Sequence, residues 1–250
     1  MQNVLILGCG RSGTSILGEF FEKAPGYRYL YQPRLVPGTY AAALGESPGA
    51  IAVNRPRVAR ESHESQLTPG LPFHWPTLWD AFPSPKVVIW IVRHPFDAVC
   101  SLRPGISSDW DHSPRPENWR SLQSAPWEEQ CAHHWVNINL WGYDAVKSVA
   151  RVLRYEDMVA DPANSARTLI SWIGLPEGAH ARETETWITS VGNRKAPSVY
   201  EARFQDRWSE LNHQFRVGRH RENLDDSQRE LIRKLVEPVA RKFGYDLSAR

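Results

Sequence analysis

Cysteine is scarce: Cys9, Cys100 and Cys131 are the three in 250 residues. An odd number with no C-x-x-C spacing supports neither a disulfide framework nor a zinc site, and points to a reducing compartment. Long apolar runs are also missing. The first, Val4 to Leu7, is cut short by Gly8-Cys9-Gly10, far below the roughly 20 residues of a membrane helix and too short for a signal peptide. No membrane partner is expected, and a cytoplasmic location is. Charge of one sign is not in excess either. Thirty basic against 28 acidic residues leave a formal +2, which gives nucleic acid no broad electrostatic footing, although a local basic pocket is compatible with it. Internal repeats and low-complexity tails are absent. What remains is an ordinary globular balance, 41% hydrophobic and 23% charged, in a chain long enough for one sizeable core or two small ones. The 11 tryptophans and 19 prolines are the compositional oddities.

One further absence is local. Residues 8–15 read GCGRSGTS, directly after Val4-Leu5-Ile6-Leu7. A phosphate-binding loop of the Walker type is G-x-x-x-x-G-K-[ST]; Gly8, Gly13 and Ser15 fit that frame, but Thr14 stands where the lysine belongs. Glycines let such a loop turn its N–H groups inward, and the following helix offers a positive N-terminus to an anion. With Arg11 as its one fixed cation, the loop suits a phosphate but is poorly equipped for the γ-phosphate of ATP.

Around the loop the pattern alternates between strands and helices. Ile16, Leu17, Phe20 and Phe21 mark an amphipathic helix over 15–23, ended by Pro25-Gly26, and Tyr27 to Tyr31 reads as a second strand. Residues 33–56, rich in Pro, Gly and Ala, are expected to be loop with at most a short helix. Lys86 to Val92 is continuously apolar, as in a parallel strand covered on both faces. A long helix is expected over 124–149 with Ser124 as N-cap, then a strand at Val152-Leu153 and a helix over 161–173. The last helix, about 227–243, should present Leu231, Leu235, Val239 and Phe243 and close at Gly244. The expectation is a three-layer α/β fold, a central mostly parallel sheet flanked by helices, in one domain over 1–250. Ligands should bind at the carboxyl ends of its strands.

The strand over 86–92 ends in Arg93-His94-Pro95, where nucleotide hydrolases of this type place a magnesium-binding aspartate. An arginine there favours an anion and repels a metal. Ser101, eight residues on, lies about two turns into the next helix, so cation and hydroxyl are placed to grip one phosphate.

These segments resemble the sulfotransferases that use 3′-phosphoadenosine 5′-phosphosulfate (PAPS). GCGRSGTS is similar to the family's 5′-phosphosulfate loop, in the form found in its carbohydrate and tyrosyl-protein branches. Arg93 to Ser101 is similar to its 3′-phosphate motif, and Tyr155-Glu156-Asp157 resembles a segment whose tyrosine lies near the nucleotide. Asn193-Arg194-Lys195-Ala196, ahead of Trp208, looks like a loose form of a late basic segment that closes over the 3′-phosphate, without its glycine. The resemblance implies a P-loop-like sulfotransferase fold with PAPS as co-substrate, PAP as product and no metal. It also implies Gly10, Arg11, Ser12, Gly13, Thr14, Ser15, Arg93, Ser101, Tyr155, Arg194 and Lys195 as nucleotide contacts. The acceptor would be a small molecule or carbohydrate bearing a hydroxyl or amine.

An acceptor must lose a proton as it attacks sulfur, so a histidine or carboxylate is wanted near the loop. The resemblance places a glutamate base just after the second strand, but Gln32 stands there and cannot take a proton; an orienting role is left to it. In the run 57–64 (RVARESHE), His63 or Glu61 is the candidate base. His74, His133 and His134 are weaker candidates still, and the last two, on the expected long helix, read as packing or surface residues. The segments 33–56, 62–76 and 103–127 should shape the acceptor pocket; Trp110, Trp119 and Trp127 in the last fit either a lid or a structural cap. Two other functions stay open: a small-molecule kinase using Mg·ATP through an unusual loop, and a non-catalytic nucleotide-binding protein.

Overall fold

The computed structural model describes residues 1–35, 49–58, 68–106, 110–176, 178, 181–192 and 217–248. In chain order, β1 (Asn3–Gly8) leads through the glycine loop into α1 (Thr14–Lys23), followed by β2 (Tyr27–Tyr31), β3 (Arg34–Leu35), β4 (Ala50–Asn54) and β5 (Arg57–Val58). Then come α2 (Trp75–Ala81), β6 (Lys86–Val92), α3 (Pro95–Ile106), α4 (Trp119–Leu122) and α5 (Trp127–Asn137). A π-helical turn, Ile138–Gly142, carries α5 into α6 (Tyr143–Val146). After β7 (Ala150–Arg154) the chain forms α7 (Tyr155–Ala160), α8 (Pro162–Ile173), α9 (Ala181–Gly192), α10 (His220–Asn223) and α11 (Asp226–Ala240).

Five strands pair in the order β2-β4-β1-β6-β7, and every pairing is parallel; β3 and β5 make a separate two-stranded parallel ladder. The apolar runs divide by alternation, because successive side chains point to opposite faces of a strand. Val4, Ile6, Val87, Ile89 and Ile91 pack with Ile16, Leu17, Phe20 and Phe21 of α1 and with Leu169, Ile173 and Trp187 of α8 and α9. Leu5, Leu7, Val88, Trp90 and Val92 face the other way, onto Val99, Leu102, Trp135, Ile232 and Val236. Both faces are therefore covered, which is why these strands read as continuous hydrophobic runs. The three-layer α/β expectation holds, and the sheet is wholly parallel.

Four local expectations change. The stretch over 33–56 contains β4, the strand that joins β1 to β2, and all five of its residues are buried. AIAVN is too short and too alanine-rich to advertise a strand by composition, and its position between two neighbours makes it one. The long helix starts at Trp127 after Pro126, so Ser124 is not its N-cap; Gln130 instead turns its side-chain amide back onto Ala125 O at 2.8 Å. In α11 the buried residues are Ile232, Val236, Val239 and Ala240, a face rotated from the one expected. Leu231 and Leu235 are half-buried at its margin. The helix begins at an Asp225/Gln228 capping box and runs through Pro238 before tightening into Arg241–Phe243. Finally, α3 continues to Ile106 through Pro104, so helix occupies the start of the expected loop over 103–127. Trp110 is buried and Trp119 and Trp127 pack against the core, which favours the structural cap over the lid.

Candidate functional site

β1 and β6 lie side by side in register, Gly8 opposite Ile91. The chain leaves β1 toward β2 and β4 on one side, while β6 leads to β7 on the other. Their carboxyl ends therefore flank a topological switch point, the crevice where open α/β sheets bind ligands. The loop over 9–13 and Arg93 both emerge there.

Backbone geometry explains the loop's composition. Gly8 has φ 141°, and a β-carbon on it would come within 2.2 Å of Ile91 O, so only glycine lets β1 end this close to β6. Arg11 (φ 67°) and Gly13 (φ 97°) adopt left-handed conformations that curl the loop under the start of α1. No side chain caps α1 and its first turn has no acidic residue, so its leading N–H groups keep the partial positive charge of a helix N-terminus. Ser12 is fully buried, and its hydroxyl has no hydrogen-bond partner among the described residues. A buried hydroxyl left without a partner at a helix N-terminus is the kind of group an oxyanion satisfies.

The cations meet at this loop. Arg93, 4% exposed, donates from Nη1 to Arg11 O at 3.0 Å and lays its guanidinium 4.7 Å from the Tyr155 ring centroid. Its own carbonyl accepts from Trp135 Nε1 at 3.2 Å. Arg11 Nε donates to Ser101 Oγ at 3.2 Å, so the loop cation reaches the buried hydroxyl of α3. Tyr155 opens α7 with its ring against Gly13, where a β-carbon would lie 2.5 Å from Cδ2. Arg11, Arg93, Ser101 and Tyr155, proposed from three separated segments, are thus brought together. Thr14 is buried and Ser15 half-buried in the first turn of α1, next to them.

Arg219, absent from the sequence-based set, joins this cluster. It is 5% exposed, and its guanidinium pKa is pulled down to about 10, first by burial and then by the charge of Arg93, with Arg11 adding to it. The neighbouring counter-charge is Asp97, 1% exposed in the first turn of α3. Asp97 Oδ2 accepts from Gly218 N at 2.7 Å; Oδ1 accepts from His220 N at 3.0 Å and pairs with His220 Nδ1 at 2.7 Å. Burial alone would raise the Asp97 pKa. The His220 side-chain hydrogen bond, the Arg93 charge and the His220 amide outweigh it and bring the carboxyl to about 2. Among the described residues, Arg11, Arg93 and Arg219 thus lie close enough for their charges to act on one another, with Asp97 beside them. The signal that could have found Arg219 is the glycine before it: Gly218 has φ 79°, and the expected late basic segment lacked such a glycine.

The expected bases fare differently. Gln32 stands at the end of β2 with φ 43°, its amide N donating to Asn54 O at 2.8 Å and its side-chain Nε2 to Tyr31 Oη at 3.3 Å. His63 and Glu61 lie outside the described residues, as do Arg194 and Lys195. Two residues not foreseen flank Gly10: His112 Nδ1 lies 3.1 Å, and an Arg55 guanidinium nitrogen 3.4 Å, from where its β-carbon would be. Asn54, fully buried at the end of β4, ties the edge of the site together by donating to Thr14 O (3.2 Å) and Tyr29 Oη (2.9 Å). His74 sits at the start of α2 with its Nδ1 2.8 Å from Thr77 Oγ1, and His133 faces Glu129 on the surface of α5.

Cys9, inside the loop, is not a nucleophile. Burial pushes its thiol up to about 12, with only partial relief from Arg55, so the thiolate is negligible at neutral pH. The buried histidines near the site make stability pH-dependent. His134 is depressed from 6.5 to about 3 by burial and then by Arg55. His94, which stacks on His220 with ring centroids 5.1 Å apart, falls to about 4 through burial, aided by the charge of His220. Both bind a proton more readily in the unfolded chain, so stability is complete above pH 6.5 and declines toward pH 4. At pH 5 the cost from His134 alone is about 2 kcal/mol. The melting temperature should therefore fall between pH 7.5 and 5. His134→Phe should remove part of that fall without a penalty at pH 7.5, since neither ring nitrogen has a hydrogen-bond partner among the described residues. A melting temperature flat across this range would refute the assignment.

The sequence profile of the sulfotransferase family matches residues 50–179. No curated protein sequence matches the chain. Among solved structures, mouse sulfotransferase SULT7A1 complexed with PAP is similar with a TM-score of 0.61 at 16% identity, over 96% of this chain and 84% of its own. The sulfotransferase from Alicyclobacillus acidocaldarius is similar with a TM-score of 0.52 at 14% identity, over 99% and 98% of the two chains. The sulfotransferase domain from the curacin biosynthetic pathway gives 0.52 at 13% identity, over 98% of each. At such identities the likeness is one of fold. No helix among the described residues is long and apolar enough to cross a membrane.

Proposed function

This chain belongs to the sulfotransferase family, and from that premise we propose that it takes a sulfuryl group from PAPS and passes it to a hydroxyl or amine of a small molecule or glycan. The observation that carries the reading is the cluster of Arg11, Arg93 and Arg219 around a glycine loop that has no lysine. PAPS bears two separate anionic groups, a 5′-phosphosulfate and a 3′-phosphate. The loop amides from Gly10 to Ser15, the orphan Ser12 hydroxyl and Arg11 suit the first. Arg93, Ser101 and Arg219 suit the second, with Tyr155 as the flat surface between loop and guanidinium.

PAPS supplies an activated sulfuryl group whose bond to the phosphate oxygen breaks as the acceptor attacks in line. The protein's work is electrostatic. Arg11 and the amides at the start of α1 neutralise the charge that develops on the departing phosphate, and they do so pre-oriented. A guanidinium fork matches such oxyanions better than an ammonium does. Gln32 orients the acceptor, His63 or Glu61 is the base that takes its proton, and His112, against Gly10, is a further imidazole at the loop. Arg194 and Lys195 remain proposed contacts to the 3′-phosphate.

The Mg·ATP kinase fits less well. It needs a lysine where Thr14 stands and a free carboxylate near the end of β6. Arg93 occupies the strand end, and Asp97 is already engaged by Gly218 and His220.

Thermal melts with 3′,5′-adenosine bisphosphate, AMP and Mg·ATP at matched concentrations test the donor. The bisphosphate at about 100 times its Kd should add about 2.7 kcal/mol, and AMP much less. Greater stabilisation by Mg·ATP would replace this reading with the kinase. Turnover of PAPS with any acceptor would exclude a purely binding role.

A further inference from the structure

We propose that Asp97 is a positioning residue for Arg219: its carboxylate fastens the turn over 218–220 to α3 and so holds the Arg219 guanidinium beside Arg93, giving the site its selectivity for a 3′-phosphorylated nucleotide. The inference rests on the donor reading above and adds to it the device that sets the specificity.

The geometry is direct. One carboxylate collects three donors from this turn, the amides of Gly218 and His220 and the His220 ring, all within 3.0 Å. Arg219 is the residue between the two amides, so its Cα has little freedom while both bonds are made. The anchor is rigid at both ends. Asp97 is buried in the first turn of α3, four residues after Arg93, and Ala98 N donates to His94 O at 2.9 Å in that same turn. On the other side the His220 ring packs against His94 and Phe96, with centroids at 5.1 and 5.4 Å. Below it, Leu224 N donates to His220 O at 3.0 Å and joins the turn to the buried Leu224.

Charge explains why such a clamp is required. Arg219 is buried within reach of the like charges of Arg93 and Arg11, and its pKa is lowered first by burial and then by the charge of Arg93. The short hydrogen bonds to Asp97, strengthened because the acceptor is ionised, fix the backbone of the turn from which the Arg219 side chain departs. The same carboxylate offsets the repulsion between the arginines. Preorganised cations discriminate better than mobile ones, since no ordering cost is charged to binding.

The test combines calorimetric binding of 3′,5′-adenosine bisphosphate and AMP with hydrogen exchange of the turn, on the whole protein. Asp97→Asn removes the charge and turns one of the two acceptor oxygens into an amide that offers donors to donors. It should weaken the bisphosphate about tenfold or more while AMP changes by less than about threefold, and exchange over 217–223 should accelerate with the sheet unchanged. Combined with Arg219→Ala, Asp97→Asn should cost nothing further, because both changes remove the same contact. His220→Ala, which leaves the two backbone bonds in place, should give a smaller loss in the same direction and covers the case in which Asp97→Asn does not fold. Equal losses for AMP and the bisphosphate, additive losses in the double variant, or an exchange pattern unchanged at the turn would each overturn the inference while leaving the donor reading intact. A wild type that binds AMP and the bisphosphate alike would overturn the donor reading, and this inference with it.

Discussion

Arg11→Ala is expected to lower the turnover rate by about 10² to 10³ while changing nucleotide affinity far less. The magnitude is that of removing one preorganised donor from a developing oxyanion, about 2.7–4 kcal/mol. Arg11 is suited to that task by its place in the loop, between the curled Gly10 backbone and the N-terminus of α1, with its side chain resting on Ser101. The substitution is a clean probe. Arg11 already holds a left-handed φ of 67°, so alanine meets no new backbone penalty, and the carbonyl that accepts from Arg93 is retained. Arg11→Lys should recover part of the rate, since charge returns without the planar fork. Single-turnover rates with the donor saturating separate the two effects. An unchanged rate in Arg11→Ala would remove this residue from the chemistry and leave the amides alone with the leaving group.

Arg93→Ala is the second large effect. It should weaken 3′,5′-adenosine bisphosphate by about 10- to 100-fold, the worth of one charge-assisted hydrogen-bonding group at roughly 1.5–3 kcal/mol, with AMP nearly unaffected. Part of the loss is indirect, because Arg93 also holds Arg11 O and stacks on Tyr155. Ser101→Ala resolves the parts: it removes a hydroxyl of the same subsite but leaves those supports, and should cost the bisphosphate less than Arg93→Ala does. Parallel loss of AMP binding in Arg93→Ala would reassign the residue to holding the loop. The prediction turns on Arg93 being 4% exposed: a guanidinium buried beside two others is strongly favoured by an incoming anion.

The glycine loop and the proposed contacts beside it were legible in the sequence for a definite reason. A phosphate loop is local, so glycines at 8, 10 and 13, the preceding apolar strand and the following amphipathic helix all lie within 20 residues. Arg93 and Ser101 are likewise a strand end and a helix position on one continuous segment. Arg219 carries only one local mark, the glycine before it. Its role depends on three hydrogen bonds to Asp97, more than 120 residues earlier, and a short run of arginines and histidines in a polar stretch otherwise resembles surface. His112 and Arg55 are similar cases. Nothing in the composition around either residue marks it, and only the packing of two loops against Gly10 brings them to the site.

The fold divides along the same line. Hydrophobic runs and their alternation with amphipathic helices were enough to establish a layered parallel sheet, because both signals are short-range consequences of backbone periodicity. The hidden strand β4 and the rotated face of α11 were decided elsewhere. Ala50 to Asn54 is a strand because β1 and β2 offer it hydrogen bonds on both edges, and α11 turns toward whatever surface α3 and α5 leave uncovered. By itself, then, the sequence determined the layered sheet, the glycine loop between β1 and α1 and the absence of a lysine at position 14, since each is written in contiguous residues. Tertiary structure alone decided that three arginines from three distant segments share one buried crevice, because a cluster of like charges forms only where the surrounding packing and the Asp97 carboxylate compel it.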